Sequence, residues 1–577
     1  MTNLQSETKA GRPSEAFEYE SFVIRRSPWR RSLMRAGPII LISLIHLLTL
    51  TYLARRHPFG NYATETDFYH LYAPDAERLA SGQFPQNTFQ GPGYPATLAL
   101  VAKLAGMSGD LFTVGKWMSV VCAVLCGLLV FVLFARLFSY WVGVGAQLIA
   151  TVSGEFPQFS INAATDVFFL LLCLASLVVF TDERIAPGWR VTLGGALAGA
   201  VYLTRYNGLF LPAACLIGIT LLDYFKKRWP GRLALSAIFV ALFLVVSSPW
   251  LIANYKRNGS PFYNTNYLNV ATEFYPELVA NKTNQDATRS LAATFHSFAD
   301  VLGYDPRRLI ARYPANLYES LRNSFKETLV NQLVAGMAAF GVLLALANLC
   351  RSRPLCLPWI GFTRDHHGGQ ARLPRTRSKN VALVLIAGAI YLLLMALNHW
   401  EARYYFFVMV LYSGFAVFAA AAWLEMARSL GWLKNRAFAL VPVAMVAAMF
   451  ALSLAESRKD VTRFLENQPT EIIAARDYLS SIGATGGKRI VARKPHLPYL
   501  SRNEWVFFPQ VKSLDEFRAW VEANRVDYIA IGKRELKERK ELSALGKPET
   551  APDWLKAVWV NDDPVFILYE PQLSPRP

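Results

Sequence analysis

Apolar residues in this chain fall in long unbroken blocks, not at the three-to-four-residue spacing of a soluble amphipathic helix. Blocks of about 18 or more read as membrane-crossing helices, because about 20 residues rising 1.5 Å each cross a hydrocarbon core of about 30 Å. About eleven are predicted, at 37–54, 111–135, 142–160, 164–181, 191–204, 207–223, 232–252, 327–349, 380–397, 404–427 and 437–455. The apolar stretch 93–106 is too short to cross and is predicted as an interfacial or re-entrant helix. After about residue 456 the pattern changes. A helix over 471–482, a strand at 489–492, a helix at 514–524 and strands at Asp527–Ile531 and Pro564–Tyr569 predict a small α/β domain. The fold class is an all-α polytopic membrane protein with a small C-terminal α/β extracytoplasmic domain.

Composition agrees with that pattern: 53% of the 577 residues are hydrophobic, and the mean hydropathy is +0.23. The net charge of +18 would suit a nucleic-acid binder, but its distribution argues against one. Basic residues crowd the tail before the first block, the link at 226–232, the loop at 350–379, and Lys434 and Arg436. With eleven spans these all fall on one side, which the positive-inside rule makes cytoplasmic. Counting 93–106 as a span would throw every later basic loop outside. The domains are then a cytoplasmic basic tail (1–36), a transmembrane catalytic domain (37–455) and an extracytoplasmic α/β domain (456–577). The transmembrane domain carries outer loops at 55–110 and 253–326. The first span acts as an uncleaved anchor in the cytoplasmic (inner) membrane, since no cleavable signal precedes it. All six cysteines lie in spans or in the basic cytoplasmic loop, so no structural disulfide is expected. Cys350, Cys356, His366 and His367 match no usual zinc spacing.

The first outer loop holds the most suggestive chemistry, from Thr64-Glu65-Thr66-Asp67-Phe68-Tyr69 to Gly91-Pro92-Gly93-Tyr94-Pro95. Pro74, Asp75 and Glu77 predict a helix over 74–81 stopped by Gly82. Asp67 falls in the tight space between the first span and that helix, beside aromatics. It is placed there either as a partly desolvated general base or as the cap of a helix starting near Phe68. Charges near spans are costly unless paired or wet, and others gather at the same depth. They are Asp166 at the start of the fourth span, Arg205 between the fifth and sixth, and His399, Glu401 and Arg403 between the ninth and tenth. Each alone has a bland reading as a lipid-facing anchor or a local ion pair. The clustering raises the functional reading.

The succession "TDFYHLYAPDAERLASGQFP", "GPGYPATLAL", "NAATDVFFLLLCLASLVVF", "GGALAGAVYLTRYNGLFLP", "SPWLIANYKRNGSPF" and "HWEARYYFFVMVLYSGFAVFAA" resembles the GT-C glycosyltransferases over residues 35–460. The nearest branch is family 39-like, the bacterial relatives of dolichyl-phosphate-mannose protein mannosyltransferases, including the lipid A aminoarabinose transferase. The resemblance implies transfer of a sugar from a polyprenyl-phosphate donor to an extracytoplasmic envelope glycan, lipid or protein, with inversion. It implies catalytic roles for Asp67 and Asp166. It implies substrate contacts by Arg205, Glu401, Arg403 and Tyr404; Lys256 or Arg257 could supply further cations to the leaving phosphate, and Tyr69, Tyr206 and His399 complete the candidate substrate-binding set. The mannosyltransferases proper carry an Asp-Glu pair where this chain reads Glu65-Thr66-Asp67. Some members use a divalent metal; the acids here form no clear metal motif, and no cofactor is assigned. The main rival is a transporter or flippase of lipid-linked intermediates, which would place ionisable residues in mid-span; a second is an inactive assembly or sensor protein.

Overall fold

A computed structural model describes residues 28–63, 65–280, 282–351, 375–429 and 436–572. The tail before residue 28, and Cys356, His366 and His367 of the basic loop, lie outside the described residues. Helix α1 (Pro28–Arg55) leads through a π-helical turn (Phe68–Tyr72) into α2 (Ala73–Ala80). Then come α3 (Gly93–Leu104), α4 (Leu111–Leu137), α5 (Tyr140–Ala150), the single turn α6 (Phe156–Phe159), α7 (Asp166–Thr181), α8 (Pro187–Thr204), α9 (Phe210–Thr220) and α10 (Trp229–Asn258). The second large loop folds as α11 (Tyr267–Phe274), α12 (Asn284–Thr294), α13 (Phe298–Tyr304) and α14 (Pro306–Asn323). Helices α15 (Gln332–Arg351), α16 (Arg375–Met395), α17 (Phe406–Ser429) and α18 (Arg436–Glu466) complete the bundle.

Each predicted apolar block overlaps a helix. By length and composition, seven helices among the described residues can cross a membrane; α5, α7 and α9 are shorter apolar helices. The blocks overran helix ends because apolar turn residues continued them. In the block 142–160 the helix stops at Ala150, and Gly154 at φ +48° breaks the chain before α6, whose first turn holds Pro157. Burial then sorts the bundle. The most apolar part of Ala402–Leu424, which covers most of α17, is 72% buried against 11% for that of Ala36–Arg55 in α1, so α17 is central and α1 lies at the rim.

The first loop is anchored by a residue the sequence reading set aside. Glu65 is fully buried. One carboxylate oxygen accepts from the Asn61 N–H at 3.0 Å and lies 2.8 Å from His57 Nε2; the other accepts from the Ala163 N–H at 2.8 Å. Lys116 Nζ donates to the His57 carbonyl at 2.7 Å, tying α4 to the same knot. Glu65→Ala would strand these groups without their acceptor, a loss of about 3–5 kcal/mol by analogy with broken buried pairs. The variant is expected to unfold well below the parent in a thermal melt of the purified protein. An unchanged midpoint would show the knot to be dispensable.

Beyond α18, helix α19 (Thr470–Ser481) opens a domain containing β1 (Arg489–Val491), α20 (His496–Leu500), β2 (Glu504–Val506), α21 (Leu514–Ala523), β3 (Tyr528–Gly532), α22 (Lys533–Glu538), β4 (Leu555–Asp562) and β5 (Val565–Pro571). The sheet order is β2-β1-β3-β5-β4, with β1 parallel to β2 and β3, and β5 antiparallel to β3 and β4. Strands β2 and β4 were not predicted. Both are edges, and the charges that interrupt them (Glu504, Lys556, Asp562) suit an edge but hide the apolar alternation. This domain sits on the first loop. His496 Nε2 lies 2.7 Å from the Asn61 carbonyl, Tyr62 donates to Glu471 at 3.0 Å, and Tyr499 donates to Glu77 at 2.9 Å.

Candidate active site

Asp67 enters the site on the π-helical turn. Its backbone is helical and its side chain makes no capping hydrogen bond, so the cap reading does not hold. A π turn closes over five residues, and the Ala73 N–H accordingly donates to the Phe68 carbonyl. That wider turn carries Tyr72 alongside Asp67: burial pushes the Tyr72 phenol well up, and the Asp67 charge adds to it. Asp166 is the first residue of α7 and is 3% exposed. It pairs with Arg205, which sits in an extended link between α8 and the short 3-10 turn before α9.

That link is positioned by the Gly91-Pro92-Gly93 turn. A Cβ on Gly91 would lie 2.0 Å from the Leu203 carbonyl oxygen, and one on Gly93 2.9 Å from the same atom. Only glycine lets the first loop lie backbone to backbone against the end of α8. Gln90 then comes within reach of the next turn, and its carbonyl accepts from the Tyr206 hydroxyl at 3.2 Å.

Arg403 lies between two acids, with Nε 2.5 Å from Glu401 and Nη1 3.7 Å from Asp67. His399 Nε2 is 3.0 Å from the other Glu401 oxygen. The ring of Tyr404 joins the halves of the site: the Arg205 guanidinium carbon is 4.7 Å and that of Arg403 5.0 Å from its centroid. Charges from four distant parts of the chain thus converge, as the sequence predicts.

The acids differ in their surroundings. Burial raises the Asp67 carboxyl above the ordinary carboxylate range; the Arg403 charge opposes this and the Glu401 charge adds to it. Burial also pushes Glu401 up, yet the His399 hydrogen bond and the Arg403 charge outweigh it and hold Glu401 at about 2. Two carboxylates on one arginine are therefore driven apart, the arrangement expected of a base beside a fixed counter-charge.

Other predicted residues serve elsewhere. Tyr69 is 2% exposed; its hydroxyl accepts from the Gly60 N–H at 2.9 Å and its ring packs on His496 and Tyr499. It therefore joins the first loop to the C-terminal domain. Arg257 donates to the Pro85 carbonyl and stacks 5.5 Å over Phe84, clamping the first loop, and Lys256 beside it is exposed. Asp75, read as a helix-end charge, accepts from the Gln86 and Asn87 N–H groups at 2.8 and 3.2 Å. Among the described residues no three metal-ligating side chains gather. Asp166 and Glu401 are engaged by guanidinium or imidazole groups, and Asp67 lies 3.7 Å from Arg403.

Lys494 was missed altogether. It lies in the C-terminal domain between β1 and α20, within electrostatic range of Asp67. Burial lowers its ammonium to about 8; Arg493 adds to this and Asp67 opposes it. No periodicity marks such a residue, because its place depends on how the small domain docks.

The long apolar helices define the class: a multi-pass membrane protein. Residues 90–252 match the family model described as dolichyl-phosphate-mannose-protein mannosyltransferase. Two structures of the Archaeoglobus fulgidus oligosaccharyltransferase share the fold at 12% identity. The apo form matches over 91% of this chain and 73% of its own, with a TM-score of 0.57. AglB, in complex with an inhibitory peptide and a dolichol-phosphate, matches over 88% and 70%, with a TM-score of 0.54. ArnT from Cupriavidus metallidurans bound to undecaprenyl phosphate matches over 93% and 98% at 14% identity, with a TM-score of 0.49. No curated protein matches the chain by sequence. Residues 90–252 thus resemble that family's model, and the fold is one shared with the oligosaccharyltransferase structures.

Proposed function

We propose that this protein transfers a sugar from a polyprenyl-phosphate carrier to an envelope glycan, lipid or protein at the outer face of the cytoplasmic membrane. Its N-terminus would be cytoplasmic and its C-terminal domain extracytoplasmic. The observation that carries the reading is the meeting of Asp67, Asp166, Arg205 and Arg403 around Tyr404. The family match over 90–252, and the dolichol-phosphate named for the AglB structure, support a lipid-phosphate donor.

In this reading Asp67 takes the proton of the acceptor hydroxyl as its oxygen attacks the anomeric carbon. The bond from that carbon to the carrier phosphate breaks, and its electron pair leaves on the phosphate oxygen. In-line displacement inverts the anomeric centre. Arg205 and Arg403 stabilise the leaving phosphate. The cluster of Asp67, Asp166 and Glu401 against two guanidiniums carries one excess negative charge, which Lys494 offsets before an anionic donor arrives.

Mass spectrometry of envelope glycolipids and glycans, in cells carrying the parent gene or its Asp67→Asn form, tests the activity. One glycosylated species should vanish in the variant; identical profiles would remove the proposal. Arg403→Ala should raise KM for the donor at least about tenfold and change the acceptor KM little. An unchanged donor KM would take Arg403 out of donor binding.

A further inference from the structure

Beside the ion pairs lies a cavity of about 170 Å³ that shares Arg205, Tyr206 and Tyr404 with the site. One water occupies only about 10–15 Å³ of such space, so the hollow takes a headgroup-sized ligand. Most of its exposed lining is apolar, including Leu209, Val270 and Leu394. Much of the rest is amide: Gln90, Asn207, Asn266, Asn269 and Asn398 all line it. They come from the first loop, the turn after α8, the region of α11 and the end of α16, so the clustering is made by the fold.

Several of these amides are held by one atom and leave the other unused. Gln90 Oε1 accepts from Thr165 at 3.3 Å, and Asn398 Oδ1 accepts from the His399 N–H at 3.0 Å. Asn266 Nδ2 donates to the Phe89 carbonyl. Asn207 Nδ2 donates to the Met395 sulfur at 3.4 Å, while its Oδ1 is buried with no partner.

Resting on the donor reading above, we propose that this pocket receives the sugar of the donor and selects an uncharged, hydroxyl-rich sugar over an amino sugar or a uronic acid. A carboxamide both donates and accepts, which matches a hydroxyl that does the same. Charge decides the rest. Among the described residues lining the cavity the charged one is Arg205, and Asp166 already balances it. An ammonium sugar would be buried beside an arginine without an acid of its own. A uronate would compete with Asp166 for the one guanidinium. Burying either charge unpaired costs far more than burying a hydroxyl that finds its hydrogen bonds.

The test uses the full-length protein in lipid nanodiscs and measures affinity by competition. The ligands are a bare polyprenyl phosphate and the same carrier bearing glucose, mannose, galactose, an aminopentose or galacturonic acid. At least one neutral hexose should tighten binding about tenfold or more over the bare carrier, the scale of one well-placed hydrogen bond to a buried group. Neither charged sugar should do so. Asn207→Leu, and independently Asn269→Leu on another helix, should abolish that gain while the bare carrier binds as before. A charged sugar preferred to every hexose, or all hexoses equal to the bare carrier, overturns the inference and leaves the transferase reading standing. Failure of the bare carrier and of every glycosylated form to bind overturns both.

Discussion

Replacing Asp67 with Asn is expected to slow sugar transfer by about 10²–10⁴-fold, the usual contribution of a general base, while the protein still folds. The structure explains why chemistry and folding separate here. The Asp67 side chain is 28% exposed, caps no helix, and meets Arg403 only at 3.7 Å. Its surroundings disfavour its charge, since burial and Glu401 together raise its pKa against the pull of Arg403. An isosteric amide therefore removes a base without removing a structural bond. The same raised pKa gives a pH signature. Only the ionised form can accept a proton, so activity should fall as pH drops through a pKa above the ordinary carboxylate range. In Asp67→Asn the residual rate should lose that acid limb. Rates across pH for both proteins check this, and turnover by the variant at the parent rate would exclude Asp67 as the base.

What was legible in the sequence follows from which forces are local. Apolar blocks announce helices because the bilayer imposes their length and composition. Charges stranded near span ends announce a site because each is costly there. Asp67, Asp166, Arg205, Glu401 and Arg403 were found in that way, and the structure brings them together. Tyr69 and Arg257 carried the same kind of signal yet are used to clamp the first loop. Proximity to a span marks a residue as constrained without saying whether a ligand or a neighbour constrains it. Glu65 shows the converse: two residues before Asp67, it was set aside in the sequence, and only burial against His57 and Ala163 shows that it holds the loop. Lys494 and the pocket amides were not legible. Their meaning depends on docking between segments up to several hundred residues apart, and a neutral amide carries no charge cost to flag it.

The second large effect is expected at Arg205, where structure and function are joined. Asp166 is 3% exposed and opens α7, with Arg205 as its counter-charge. Arg205→Ala would leave that carboxylate buried and unpaired, which costs about 3–5 kcal/mol, and would also remove a cation from the leaving phosphate. Stability alone cannot tell these losses apart, but the pair can be removed together. Asp166→Asn with Arg205→Gln replaces two buried charges by two amides that can bond to each other. Its melting midpoint should recover most of what either single change loses, so the two single losses should be far from additive in the double-mutant cycle. Transfer should not recover, because the Arg403 guanidinium alone then faces the carrier phosphate. A double variant that regains both the midpoint and the parent rate would reduce the pair to a structural bolt between α7 and α8, and would shift donor binding onto Arg403 and Lys494.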